Sequence, residues 1–142
     1  MNQENKNKFA ARHETYVPEY NCSVIATLRT FATKWKPCIV CYLSEGPMRY
    51  NDLFRTIPNI SRKILSEHLK ELENDSLIIR NQFDTKKQRV EYELSETGKS
   101  LMVILEQLQD WGLRNVDNVV SIEKMITETL SPKAKNYWRS KN

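Results

Sequence analysis

Apolar residues recur at helical spacing along most of the chain and at strand spacing over one short stretch. Val24, Leu28 and Phe31 predict a first helix over residues 24–32. Pro37 suits the first turn of a second helix, where its missing N–H costs nothing, and Ile39, Val40 and Leu43 give that helix an apolar face. Glu45-Gly46-Pro47 ends it, with Gly46 suited to the C-cap. Tyr50, Leu53, Phe54 and Ile57 recur at i, i+3, i+4 and i+7, a short third helix broken by Pro58 and Asn59. Ser61 is the natural N-cap of a fourth helix running to about Asn74. Leu65, Leu69 and Leu72 form its buried stripe, and Arg62, Lys63, Ser66, Glu67 and Lys70 fall elsewhere on its circumference.

Two strands are expected next, over 77–82 and 89–94. In the second, Val90, Tyr92 and Leu94 alternate with Arg89, Glu91 and Glu93, a half-buried pattern. The basic stretch Asp84-Thr85-Lys86-Lys87-Gln88 joins them, so the pair reads as a hairpin. Ser95-Glu96-Thr97-Gly98 opens a long helix whose apolar face carries Leu101, Ile104, Leu105, Leu108 and Trp111. A last helix over 121–130 has Ile122, Met125, Ile126 and Leu130 as its stripe.

This order predicts a mainly α fold with a small β-hairpin: a winged helix-turn-helix domain with flanking dimerisation helices. In such motifs the second helix of the pair enters the major groove. Composition agrees with this size of fold. The 142 residues suit one domain and leave no room for a two-domain enzyme. We divide them into a polar arm at 1–19, the winged domain at 20–113, and a helix and tail for dimerisation at 114–142. Hydrophobic residues at 39% suffice for a core, and only 3 glycines argue against a phosphate-cradling Gly loop. The net charge of +4 leans towards nucleic acid or another anionic surface. The polar start and the lack of a long apolar run predict a cytoplasmic chain without signal peptide or membrane span.

The polar residues then acquire roles. Lys and Arg neutralise phosphates and release counterions, which supplies most non-specific affinity. Ser and Glu make directional contacts with base edges. The candidate DNA-contact set is Arg49, Ser61, Arg62, Lys63, Ser66, Glu67 and Lys70 on the helix pair, with Lys86, Lys87 and Arg89 on the wing. The bland alternative for each residue is a solvated helix face. The order of elements, more than any single motif, favours duplex DNA.

Several blocks also resemble a known family. Thr33-Lys34-Trp35-Lys36, Met48-Arg49-Tyr50-Asn51-Asp52-Leu53, Ile60-Ser61-Arg62-Lys63-Ile64-Leu65-Ser66, Leu69-Lys70-Glu71-Leu72-Glu73 and Val90-Glu91-Tyr92-Glu93-Leu94 look like the HxlR family of bacterial regulators, related in fold to MarR-type proteins. The resemblance runs from Cys22 to about Gly112 and implies a homodimeric, winged-helix transcription factor on a pseudo-palindromic operator. The chain departs from the family at Ser23, Thr33, Ser76 and the Lys86-Lys87-Gln88 wing. Ser76 stands where the family has Gly, so a left-handed turn there would be strained.

The cysteines carry two readings. Cys38-x-x-Cys41 lacks a second ligand pair, and His13 and His68 are isolated, so no metal site and no cofactor are expected. Cys38, just after Pro37, should sit where the helix dipole favours a thiolate, although packing as a small hydrophobe is the commoner fate. The resemblance implies a redox-sensing position at Cys22; Cys38 is the runner-up through its place near a helix start, where burial should slow it. Trp35, Trp111 and Trp138 invite a ligand-cage reading, but Trp35 and Trp111 fall on apolar helix faces and fit core or dimer packing better, and Glu71 and Glu73 look like structural carboxylates on a solvated helix. No catalytic set can be assembled, so a non-enzyme is expected. The alternative functions are a winged-helix module binding protein or RNA without operator specificity, and a thiol redox enzyme built on Cys38 and Cys41.

Overall fold

A computed structural model describes residues 22–84 and 86–129. The expectations placed on the 1–19 arm, Thr85, Leu130, Trp138 and the rest of the tail lie outside these residues. The elements are α1 (Ser23–Phe31), α2 (Lys36–Ser44), α3 (Tyr50–Thr56), α4 (Arg62–Asn74), β1 (Ile78–Phe83), β2 (Arg89–Leu94), α5 (Glu96–Asn115) and α6 (Ile122–Thr129). This is the winged helix-turn-helix order.

The helix ends follow their local chemistry. The Ser61 hydroxyl oxygen accepts from the Ile64 N–H at 3.1 Å and starts α4. At the other end the Ser76 N–H donates to the Glu73 carbonyl and the Leu77 N–H to the Leu72 carbonyl, both at 2.9 Å. That is a Schellman closure, with Ser76 left-handed at φ 60° in the place glycine usually takes. Because Leu77 completes the closure, β1 starts one residue later than its apolar pattern suggests. The Ser95 oxygen accepts from the Gly98 N–H at 3.0 Å and starts α5, while its O–H donates to the Ser76 carbonyl at 2.5 Å. One serine therefore ties the end of α4 to the start of α5.

β1 and β2 pair antiparallel, from Ile78 opposite Leu94 to Phe83 opposite Arg89. Met48 adds a single-residue third strand: its N–H donates to the Tyr92 carbonyl at 2.9 Å and its carbonyl accepts from the Tyr92 N–H at 2.8 Å. The bridge fixes the wing against the segment before α3. The alternation in β2 is weaker than expected, because Glu91 and Glu93 are also drawn in by polar partners. Asn81 donates to Glu93 at 3.0 Å, and Glu91 pairs with Arg89.

The core gathers around α2. Ile39, Val40, Tyr42 and Leu43 are buried with Leu53, Leu65, Leu69 and Leu72. Lys36 and Cys41 are buried too, so α2 is enclosed nearly all round instead of presenting the single face expected. α6 packs on α2: Ile126 is buried, and the Tyr42 and Thr129 hydroxyls lie 2.5 Å apart.

Two predicted stripes are only partly covered. On α1 Phe31 is buried, but Val24 is 62% and Leu28 43% exposed. On α5 Leu101 and Leu105 are buried, whereas Ile104, Leu108 and Trp111 are 43–58% exposed. Trp111 is thus a surface residue of the single chain, while Trp35 is half-buried against the core.

Candidate nucleic-acid interface

α3 and α4 form the helix-turn-helix pair. The turn between them passes through Pro58 and Asn59, which is left-handed at φ 63°, a conformation asparagine tolerates. With Leu65, Leu69 and Leu72 buried, the rest of α4 is fixed in rotation. Arg62, Lys63, Ser66, Glu67 and Lys70 are all exposed, as their spacing predicts.

This surface is internally ordered. The Arg62 guanidinium lies over the Phe54 ring at 4.2 Å from its centroid and donates weakly to Asn51 Oδ1 at 3.5 Å. The Tyr50 hydroxyl donates to the Arg62 carbonyl at 3.0 Å and lies 3.1 Å from Ser66 Oγ. Tyr50 and Phe54 therefore hold the first turns of α4 on α3. The Ser61 oxygen accepts one bond in capping, and its O–H stays available as a donor.

A cleft of about 930 Å³ separates the start of α3 from the wing tip. Arg49, Asn51, Asp52 and Arg55 line one side, Lys86, Lys87, Gln88 and Arg89 the other, and Tyr50 links it to α4. Glu91 lies between the two basic walls: it pairs with Arg89 and stands 3.9 Å from Arg49 Nε. Arg89 also lies over Phe83 at 5.6 Å. Arg49 and Arg89 are thus oriented by a carboxylate, while Lys86 and Lys87 are exposed at the tip. Arg55, bonded to Asp52 at 2.6 Å, belongs to this basic wall and was not in the sequence-based set. Its only sequence signal is an exposed cation near the end of α3.

The cysteines separate by environment. Cys22 is exposed at the N-cap position of α1. Cys38 is half-buried, and burial raises its thiol pKa above the ordinary value despite a bond to backbone. The helix-start effect expected there loses to desolvation. Cys41 is buried and pushed up to about 12, by burial first and by Cys38 and Glu106 next. No group of His, Cys, Asp and Glu among the described residues is arranged to hold a metal ion. No helix among them is long and apolar enough to cross a membrane.

Glu71, read from the sequence as a structural carboxylate, has a buried partner. Its Oε2 lies 2.5 Å from the buried ammonium of Lys36.

Comparison with known proteins accords with this surface. The model of the HxlR-like helix-turn-helix family matches residues 30–120. The HTH-type transcriptional regulator YtcD of Bacillus subtilis is 45% identical over 101 residues, spanning 71% of this chain and 80% of that protein. Among solved structures, the redox regulator HypR in its reduced form superposes with a TM-score of 0.64 at 33% identity, covering 68% of this chain and 95% of that one. The reduced transcriptional regulator YodB of B. subtilis gives 0.64 at 28% identity, covering 71% and 100%. The chain therefore belongs to the HxlR-like helix-turn-helix family of transcriptional regulators.

Proposed function

We propose that the chain acts as a homodimer that reads a pseudo-palindromic operator in duplex DNA, and that it is a regulator without catalytic activity. One observation carries the reading: the polar face of α4 is continuous, through Tyr50, with the basic cleft beneath the wing. An α4 seated in the major groove would offer Ser66 and Glu67 to base edges. Arg62, Lys63, Lys70, Ser61, Arg49, Arg55, Lys86, Lys87 and Arg89 would serve the flanking phosphates.

Dimerisation rests on the uncovered apolar side chains. Val24, Ile25 and Leu28 on α1, with Ile104, Leu108 and Trp111 on α5, are each at least 40% exposed, and a second copy would cover them. In the segment after α5, Val116, Val119 and Val120 are exposed as well. A two-fold dimer places its reading helices about 34–36 Å apart, one turn of duplex.

Cys22 is the proposed sensing thiol. It is the exposed cysteine among the described residues and sits at the start of α1, beside the proposed interface. HypR, similar to this chain in fold and sequence, is a redox regulator. Cys38 is the slower second candidate, because desolvation disfavours its thiolate.

Gel shift over a salt series tests the DNA reading. Lys86→Ala or Lys87→Ala should weaken binding to every duplex and flatten the logarithmic salt slope by about 0.9 for each phosphate no longer neutralised. Ser66→Ala and Glu67→Gln should instead change sequence preference, by about 1–3 kcal/mol per base contact. Wing variants that alter preference, with helix variants that alter only overall affinity, would invert the assignment. Tighter binding to RNA or to a protein would favour the interaction-module alternative.

A further inference from the structure

The proposed DNA reading leaves one buried charged cluster unused. Lys36, the first residue of α2, has a side chain only 6% exposed. Its ammonium is 2.5 Å from Glu71 Oε2 on α4 and donates to the Thr30 carbonyl at 3.4 Å. Thr30 lies in the last turn of α1, whose final carbonyls have no partner within the helix and carry its negative end. His68, one turn before Glu71, brings its buried Nδ1 to 3.9 Å from the same Glu71 oxygen. A single ammonium therefore joins the end of α1, the start of α2 and the last turn of α4.

Stability is a poor reason for such a group. Replacing a buried ion pair by apolar side chains of similar volume is often neutral or stabilising. What an ion pair supplies that an apolar contact does not is direction. The carboxylate and the carbonyl must both point at one atom, which restricts sliding and rotation of α4 relative to α1. α4 carries the polar face, and α1 carries some of the apolar surface proposed to join two copies. The Lys36 joint thus lies between the dimer contact and the reading helix.

We propose that Lys36 is a positioning residue for operator recognition: through Glu71 and the Thr30 carbonyl it sets the placement of α4 relative to α1, and hence the spacing of the two reading helices. This rests on the dimeric DNA-binding reading above. The Lys36 ammonium is buried, so it supplies geometry and no phosphate contact. Strain introduced at α1, as by modification of Cys22, would reach α4 by this connection.

The test uses the full chain, an operator selected by the parent from a genomic library, and bulk duplex DNA as competitor. Lys36→Met keeps an unbranched side chain, one atom shorter, and removes its charge. Glu71→Gln removes the carboxylate charge but keeps an oxygen that can accept from the Lys36 ammonium, and urea unfolding at one fixed protein concentration checks that each variant is folded. Each variant should bind bulk DNA within about twofold of the parent and with the same salt slope. Each should lose about tenfold in operator affinity. The double variant should lose no more than the worse single one, since both break one interaction. Lys36→Arg should recover some of the loss. Retention of the parent's ratio of operator to bulk affinity in both single variants overturns the proposal. So does a salt slope reduced by about one, which would make Lys36 a phosphate contact. A parent that selects no sequence at all instead overturns the reading on which the proposal rests, and the proposal with it.

Discussion

Two glycines in α5 should respond in opposite directions to the same substitution. Gly98 lies in the first turn, under the base of the wing, and Gly112 lies near the end of the helix. A Cβ built on Gly98 would stand 2.0 Å from the Leu77 carbonyl oxygen and 3.2 Å from Leu94 Cδ2. Carbon and oxygen approach comfortably at about 3.3 Å, so Gly98→Ala must push the backbones of α5 and Leu77 apart by more than an ångström. The obstructing atom is main chain and already accepts from the Ser95 N–H at 3.1 Å, so it cannot swing aside. Overpacking of this kind costs about 3 kcal/mol, and a disrupted backbone bond about 1 more. Alanine's better helix propensity returns about 1. The net is a loss of about 3 kcal/mol, close to a 150-fold fall in the folding equilibrium. At Gly112 a Cβ meets nothing within 4 Å, so Gly112→Ala keeps the propensity gain and should stabilise by about 1 kcal/mol. Urea unfolding followed by circular dichroism, at one fixed protein concentration because the stability of the proposed dimer would depend on it, measures both. Gly98→Ala unfolding at the parent's midpoint with the same slope would refute the packing of α5 on the end of α4.

Ser76→Gly should stabilise the fold by up to about 1 kcal/mol, since relief of a left-handed serine exceeds the entropy that glycine loses; a lower urea midpoint would contradict this. His68 is held below its ordinary pKa of about 6.5, by burial first and by the Lys36 cation next. The unfolded chain then takes up a proton at this site before the folded one does. Its contribution to stability is present above about pH 6.5 and is lost as pH falls towards the lowered folded value; an NMR titration of His68 at or above 6.5 would refute it. Mild oxidation should modify Cys22 before Cys38 or Cys41, and Cys22→Ser should keep DNA binding after oxidant treatment. Peptide mass mapping paired with gel shift reads both, and equal loss of binding in parent and variant would remove Cys22 as a sensor.

The features of this fold that were legible in the sequence are those specified by neighbouring residues. α4 could be read with its cap because Ser61 bonds three residues ahead and the leucine stripe recurs at the helical period. β2 appeared with its full bounds because its residues alternate between turn signals. Features that depend on distant partners were hidden. The Met48 bridge to Tyr92 is a single residue whose pairing lies far along the chain. The burial of Lys36 has no local signal, because it depends on Glu71 and the end of α1 closing over it. The spacing of Cys38 after Pro37 signals a helix start but says nothing of the burial that raises its pKa. Periodicity likewise identified the apolar sides of α1 and α5 without showing that much of each stays uncovered in one chain. In the candidate DNA surface, the exposed side of α4 was readable from helix geometry. The carboxylate of Glu91 between Arg49 and Arg89, and the place of Arg55 beside them, required the wing to be folded back.

Selection of duplexes from a genomic library by the purified full chain, followed by sequencing of the retained pool, tests the central claim most directly. The account predicts enrichment of a motif with two-fold symmetry whose half-sites are centred about 10–10.5 base pairs apart, bound by two copies of the chain. A pool with no enriched sequence, or a single asymmetric site occupied by one copy, would contradict it.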